Sequence, residues 1–100
     1  MHLVAIVVAY YPDFQQINHL IDSLCSQVNS IVIIDNTPAS ENDVLKAFEN
    51  NECITLISLG ENRGIATAQN IGIAYARKQE ATDIILFDQD SIPTQTLIAD

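Results

Sequence analysis

The sequence predicts an α/β fold in which a mostly parallel sheet is covered by helices on both faces. Four short apolar runs alternate with segments of helical periodicity, in the order β-α-β-α-β-α-β, and a further helix start follows. The runs are continuously apolar, which is typical of strands buried on both faces. Strands that alternate with helices are joined by right-handed crossovers and form parallel sheets.

The first half of the chain contains two predicted strands and two predicted helices. Residues 3–9 form the first strand, and Asp13 with Gln16 three residues later predicts an N-cap and capping box. The helix that follows carries an apolar stripe of Phe14, Ile17, Leu20, Ile21, Leu24, Cys25 and Val28. Residues 31–34 form the second strand, which ends at Asp35 and Asn36. Thr37-Pro38 then breaks the chain, and a short amphipathic helix is predicted from Ser40, Asp43, Val44, Leu45 and Phe48.

The second half repeats this alternation. Residues 53–58 are predicted to be the third strand and residues 60–64 a loop. A helix from 65 to about 79 should turn inward Ile65, Ala68, either Ile71 or Gly72, and Tyr75. Residues 83–87 form the fourth strand, and Pro93-Thr94 opens the last predicted helix. We expect residues 1–100 to form a single domain.

Charge and length exclude several classes of function. The net charge is -9, and the four basic residues are Lys46, Arg63, Arg77 and Lys78. A nucleic-acid partner or a polybasic membrane patch is therefore not expected. No apolar run is long enough to span a bilayer. The two cysteines, Cys25 and Cys53, are far apart in the sequence and are predicted to be buried, reduced thiols of a cytoplasmic protein. His2 and His19 are predicted to be exposed.

The polar residues that follow each strand are the candidate site, because ligands of parallel sheets bind beyond the carboxyl ends of the strands. Asp88 and Asp90 form a D-x-D directly after the fourth strand. Hard divalent cations such as Mg²⁺ or Mn²⁺ take oxygen ligands of this kind together with substrate phosphates. The alternative for this pair is two solvated turn aspartates. Asp35 is an acceptor for a base N–H or a ribose hydroxyl, or else an Asx-turn residue.

The loop before the third predicted helix adds a second group of candidates. Asn62, Arg63 and Gly64 precede a helix N-terminus, which is suited to an anion. Asn62 is alternatively the N-cap of that helix, and Arg63 is able to pair with a phosphate or with nearby acids. Asn70 is a polar residue on a helix that must pack, and a structural hydrogen bond is its simpler explanation. The chain lacks G-x-G-x-x-G, a P-loop and G-x-S-x-G, which argues against the folds that need them.

Four stretches together resemble the family 2 glycosyltransferases, inverting enzymes of the GT-A fold, and most closely bacterial rhamnosyltransferases. They are residues 6–13 (IVVAYYPD), 33–36 (IIDN), 60–73 (GENRGIATAQNIGI) and 86–91 (LFDQDS). The resemblance covers nearly the whole chain and implies the Rossmann-like, nucleotide-binding half of a GT-A domain.

The resemblance also implies roles by position. Tyr10 would border the nucleotide, and Asp35 would contact its base. The segment from Asn62 to Asn70, with Arg63 and Gly64, would close over the nucleotide and brace the D-x-D. Within that motif, Asp88 would lie near the ribose and Asp90 would hold Mg²⁺ or Mn²⁺ on the diphosphate. The implied donor is a nucleotide sugar, dTDP-rhamnose, and the implied acceptor is a surface polysaccharide or a lipid-linked oligosaccharide.

The chain departs from the family's pattern after the D-x-D. The acceptor-binding half and the general base that deprotonates the acceptor are expected beyond Asp100, so no catalytic residue is assigned here. We expect the chain to be an inactive half of a longer enzyme, by construction rather than by nature. The full-length protein would be cytoplasmic or peripheral at the inner membrane face. The face exposed by truncation is a surface for self-association.

Two other functions stay open at this point. A phosphohydrolase of the haloacid-dehalogenase type also places a D-x-D after an apolar strand and would use Asp88 as nucleophile. There, however, the motif opens the fold, and the required downstream Lys and acidic pair are missing here. The second alternative is a non-catalytic module that binds nucleotide weakly.

Overall fold

The structure, a computed structural model, describes residues 2–38 and 44–88 and has the predicted order of strands and helices. The elements are β1 (Leu3–Ala9), α1 (Phe14–Cys25), β2 (Ser30–Asp35), a 3-10 helix (Val44–Phe48), β3 (Ile54–Ser58), α2 (Ile65–Lys78) and β4 (Asp83–Asp88). The predicted helix starts at Ser40 with Asp43 and at Pro93 lie outside the described residues. The second helix is thus seen only as a single 3-10 segment.

The four strands form one parallel sheet in the order β3-β2-β1-β4. β1 therefore lies between β2 and β4, and its register brings Ala9 opposite Asp35 and Val8 opposite Asp88. Asp35 in turn lies opposite Ser58 of β3. The predicted α/β class and parallel sheet are confirmed. Because all four strands run the same way, their last residues meet at one edge, which we call the carboxyl edge.

Each face of the sheet carries its own core. On one face, the buried side chains of α1 and the 3-10 helix pack on alternate residues of β1 and β2, as the burial of Ile17, Leu20, Leu45, Val7 and Ile33 illustrates. On the other face, α2 packs on the intervening residues. Both faces of β1 and β2 are thus buried, which explains why their sequences are continuously apolar.

The predicted N-cap of α1 is confirmed. Asp13 is the N-cap, and its Oδ1 accepts the backbone N–H of Gln15 at 3.1 Å. The helix ends at Cys25, before the predicted end of the apolar stripe at Val28. Phe14 is partly exposed, and its ring stacks on Phe48 of the 3-10 helix at a centroid distance of 5.6 Å.

The packed face of α2 differs from the prediction. Ile65 is 54% exposed, so its predicted inward position is wrong. The buried positions are Ala68, Gly72 and Ala76, which recur every fourth residue and form a stripe of small side chains. Small residues let the helix approach the sheet closely. A methyl group at Gly72 would lie 2.6 Å from Cγ2 of Ile6 in β1.

Other features follow the sequence with small differences. His19 is exposed as predicted, whereas His2 is only half-exposed. Leu86 lies on β4, at one side of the described sheet, and is exposed. Across the ranges 2–38 and 44–88, no helix is long and apolar enough to cross a membrane.

Candidate functional site

The carboxyl edge gathers the polar residues that the sequence singles out after β1, β2 and β4. Tyr10 follows β1, Asp35 ends β2 and Asp88 ends β4. Neighbouring strands in a sheet lie about 4.8 Å apart, so the backbones of Asp35 and Asp88 lie about 10 Å apart with β1 between them. Residues 88, 35 and 10 therefore share one short stretch of this edge. Asp90 lies outside the described residues.

Asp35 is a buried carboxylate with one oxygen left without a partner. The residue has no exposed surface, and its Oδ1 accepts the backbone N–H of Thr37 at 3.0 Å. This is the Asx turn that the sequence offers as the simpler interpretation. Within the described part of the chain, Oδ2 has no hydrogen-bond partner. Because a buried polar atom without a partner is costly, the unused hydrogen-bonding capacity of Oδ2 calls for an explanation.

Thr37 connects the ends of β1 and β2. Its hydroxyl oxygen accepts the backbone N–H of Tyr11 at 2.8 Å. Tyr11 has a φ of 46°, a left-handed conformation that is uncommon for a residue other than glycine. The bend places the rings of Tyr10 and Tyr11 edge to face with centroids 4.6 Å apart. Two exposed aromatic rings therefore stand at the end of β1, next to Asp35.

Asn36 links β2 to the loop before α2 through both ends of its side-chain amide. Its Nδ2 donates to the carbonyl oxygen of Gly64 at 3.2 Å, and its Oδ1 accepts the backbone N–H of Arg63 at 3.0 Å. Its own backbone N–H donates to the carbonyl of Ala9 at 2.7 Å. With only 3% of its surface exposed, Asn36 is a buried bridge between β1, β2 and this loop.

The loop at residues 60–64 positions the start of α2 differently from the prediction. The N-cap of α2 is Gly64 and not Asn62. The Asn62 side chain instead accepts the backbone N–H of Gly64 at 2.9 Å, within the loop. Arg63 is exposed and its Nε lies 3.4 Å from Glu61 Oε1, so it pairs with an acid, one of the two partners expected for it. Such an exposed pair contributes little to stability.

Glycine is required at position 64 because of its backbone conformation and not because a side chain would be crowded there. Its φ of 83° and ψ of 159° lie in a region that is essentially restricted to glycine. A Cβ atom at this position would meet nothing within 4 Å. The Gly64 carbonyl also accepts the backbone N–H of Ala68 at 3.2 Å, so the same oxygen begins α2 and receives the Asn36 amide. Asn70 lies on an exposed part of α2.

Comparison with known proteins shows the family of this chain. The model of the family described as glycosyl transferase family 2 matches residues 5–100. The chain belongs to glycosyl transferase family 2. It is 43% identical over 91 residues to the dTDP-rhamnosyl transferase RfbF of Shigella flexneri. The aligned region is 90% of this chain but 30% of that relative, so the chain spans less than a third of the relative's length.

Membership of family 2 bears on the two alternative functions that the sequence leaves open. The family match extends over the strand ends and the D-x-D and favours neither a haloacid-dehalogenase-type phosphohydrolase nor a non-catalytic module. Among the side chains that the structure describes, no group of three or more His, Cys, Asp or Glu is arranged to hold a metal ion. The side chains of the proposed metal pair, Asp88 and Asp90, are not among them.

Sequence reasoning assigned no contact to two residues of this edge. Asn36 was singled out only as a polar residue at the end of β2, and Thr37 only as part of a chain break, yet both are buried and hydrogen-bonded. A usable signal was present, because three polar residues in succession after a buried strand need internal partners. The partners themselves lie 26 to 28 positions away, and sequence patterns do not identify them.

Proposed function

We propose that this chain is the nucleotide-sugar-binding half of a rhamnosyltransferase. The proposed donor is dTDP-rhamnose, and the proposed acceptor is a surface polysaccharide or a lipid-linked oligosaccharide. Family membership supports glycosyl transfer, and the name of the Shigella flexneri relative supports the rhamnosyl group and the dTDP carrier. The proposed full-length protein acts in polysaccharide synthesis.

The observation that carries nucleotide binding is the unpartnered Oδ2 of Asp35. An ionised carboxylate accepts hydrogen bonds only, and the ring N–H of thymine is a donor of matching polarity. The Asx turn to Thr37 fixes the carboxylate plane, so the remaining oxygen is already oriented before a ligand binds. Tyr10, which follows β1 beside this carboxylate, borders the nucleotide in this proposal.

Asp88 and Asp90 are the proposed holders of Mg²⁺ or Mn²⁺. Their chemistry fits such an ion, since carboxylate oxygens are the ligands that hard divalent cations prefer. Asp88 ends β4, two strands from Asp35 and at the same edge of the sheet as the proposed base contact. When bound, the cation would neutralise charge on the departing nucleoside diphosphate as a Lewis acid.

The segment from Asn62 to Asn70 is proposed to close over the nucleotide and to brace the D-x-D. The Asn36 side chain hydrogen-bonds to the backbone of Arg63 and Gly64. The Asn62 side chain accepts the backbone N–H of Gly64, immediately before α2. The N-terminus of a helix carries free N–H groups and a partial positive charge, which suit an anionic ligand. Asn70, which lies further along α2, is the residue of this segment proposed to brace the D-x-D.

The general base is proposed to lie in the portion of the enzyme that follows residue 100. The relative is more than three times as long as the aligned region, which leaves room for an acceptor-binding half. On this basis the 100-residue chain binds the donor without completing the transfer.

Isothermal titration of the protein with dTDP, with and without Mn²⁺, tests the proposal. We expect binding that depends on the metal and that favours pyrimidine over purine nucleoside diphosphates. Replacing Asp35 by Asn changes an acceptor to a donor and should weaken dTDP binding by about tenfold or more, as expected for a hydrogen bond to a charged group. Asp90→Ala should abolish the effect of the metal.

Asp83→Asn is the matched control, because Asp83 is an exposed carboxylate at the start of β4, at the opposite end of that strand from Asp88. It removes one negative charge and should leave dTDP binding unchanged. The proposal is wrong if well-folded protein fails to bind dTDP in the presence of metal and Asp90→Ala changes nothing. Trapping of a phosphoaspartate at Asp88 would instead support the phosphohydrolase.

A further inference from the structure

Thr37 has no exposed surface and hydrogen-bonds to both neighbouring strand ends of the carboxyl edge. Its backbone N–H donates to Oδ1 of Asp35 at 3.0 Å, and its hydroxyl oxygen accepts the backbone N–H of Tyr11 at 2.8 Å. Asp35 is the last residue of β2, whereas Tyr11 belongs to the turn that follows β1. One buried residue therefore joins the carboxylate of β2 to the turn of β1.

The Thr37 hydroxyl holds this turn where the backbone pairing of the two strands ends. Just beyond the paired residues Ala9 and Asp35, the backbone N–H of Asn36 donates to the Ala9 carbonyl at 2.7 Å. Two residues after Ala9, the partner of the Tyr11 N–H is a side chain. Because Tyr11 has a left-handed φ of 46°, its conformation is unfavourable unless the surroundings fix it. The bond to Thr37 supplies that constraint.

The conformation of Tyr11 determines where two aromatic rings stand at this edge. The rings of Tyr10 and Tyr11 meet edge to face with centroids 4.6 Å apart, and both residues are exposed. A nucleobase is bound through its flat face, which stacks on an aromatic ring, and through its edge, which forms hydrogen bonds. When a ring and a carboxylate are both fixed, their separation determines which size of base contacts both.

We propose that Thr37 is a positioning residue that sets the base specificity of the nucleotide site. Thr37 has this role only if Asp35 and Tyr10 contact the base, so the proposal rests on the proposed function. The Thr37 backbone N–H orients the carboxylate, and the Thr37 hydroxyl fixes the turn that carries the rings. Loss of the hydroxyl leaves the carboxylate oriented but releases the rings, so a two-ring purine is admitted as readily as a one-ring pyrimidine.

Titration of the full-length protein with dTDP and with dGDP, both in the presence of Mn²⁺, tests this role in Thr37→Val. Valine has the shape of threonine and keeps the backbone N–H, but it has no oxygen to accept the Tyr11 N–H. The preference for dTDP over dGDP should fall by about 2- to 10-fold, the effect of one hydrogen bond, through weaker binding of dTDP. A merely structural loss would weaken both nucleotides equally and leave the preference unchanged.

Two further variants are the controls. Thr37→Ser keeps the hydroxyl and should keep the wild-type preference for dTDP. Thr55→Val is the matched control, because it removes a threonine hydroxyl of β3 that lies 3.5 Å from the Tyr75 hydroxyl, at the other end of the sheet. It should leave the preference unchanged.

The outcomes separate this role from the proposed function. A wild-type protein that fails to bind dTDP contradicts the proposed function, and the role of Thr37 with it. A wild-type preference that persists in Thr37→Val overturns the role of Thr37 alone. If Thr37→Val fails to fold, hydrogen exchange of the wild-type protein decides the question. The Thr37 and Tyr11 amides should both exchange more slowly once dTDP and Mn²⁺ are bound, and any other pattern overturns the proposal.

Discussion

Replacing Asn36 by Ala should release the loop of residues 60–64 from β2. The side chain is buried and makes two hydrogen bonds to that loop, to the Gly64 carbonyl and from the Arg63 N–H. A typical intramolecular hydrogen bond contributes about 0.5–1.5 kcal/mol, so the pair should contribute about 1–3 kcal/mol. The lower half of that range is expected, because Arg63 and Gly64 are exposed and water is able to replace the lost partner.

Asn36→Asp provides a sharper comparison than Asn36→Ala alone. An ionised carboxylate at this position still accepts the Arg63 N–H, but its other oxygen faces the Gly64 carbonyl and repels it. At neutral pH, Asn36→Asp should therefore be at least as unstable as Asn36→Ala. When the pH falls and the carboxyl is protonated, the O–H becomes a donor like the amide. The folded state then binds the proton more tightly than the unfolded state, so Asn36→Asp should regain stability relative to Asn36→Ala.

The assay has two readouts. Urea unfolding followed by circular dichroism gives the free energy of unfolding of both variants between pH 4 and 7. Hydrogen exchange reports the Arg63 amide directly, and exchange there should accelerate in Asn36→Ala. Unchanged exchange at Arg63 together with unchanged stability would refute the bridging role. So would an Asn36→Asp variant that is more stable than Asn36→Ala at neutral pH.

Three further predictions concern packing, backbone and titration. Gly72→Ala should cost about 1–3 kcal/mol through overpacking against Ile6, and adding Ile6→Ala should recover part of that loss in a double-mutant cycle by urea unfolding. Gly64→Ala should cost about 1–3 kcal/mol from its backbone conformation alone; no truncation of a neighbour should rescue its Tm, because nothing lies within 4 Å of the new methyl group. Burial and the Cys53 thiol raise the pKa of Cys25 to about 11, so the folded state keeps a proton that the unfolded chain loses above pH 9. The free energy of unfolding should fall between pH 9 and 11, and Cys25→Ser should flatten this fall in a series of urea titrations; an identical slope would contradict the assignment.

Secondary structure was largely predictable from the sequence, because each strand is a continuous apolar run. The predicted β1 coincides with the observed Leu3–Ala9, and the other three strands differ by one residue at one or both ends. Asp13 could be identified as an N-cap because capping is a local interaction, here between its side chain and the N–H two residues later. The inward face of α2 was predicted wrongly at Ile65. Hydrophobicity favoured the isoleucine, whereas close approach to the sheet favoured the small residues Ala68 and Gly72.

The candidate site was predictable as a set of positions but not as a set of contacts. Asp35 and Tyr10 could be selected because polar residues at the ends of parallel strands converge on one edge. Which oxygen of Asp35 is engaged by Thr37, and which remains unpartnered, depends on the turn geometry. Residue type offers Asn62 as one candidate N-cap, but the N-cap is Gly64, whose unusual φ and ψ place the start of α2 two residues further along.

The sequence by itself determined the α/β class, the order of elements and the family, because these depend on local periodicity and on motifs that are continuous in the chain. Tertiary structure alone decided the partners of Asn36 and of Thr37. These contacts join segments that are remote in sequence. Each depends on the crossover that brings one strand beside another, and no local pattern of residues encodes the distance between the atoms that then meet.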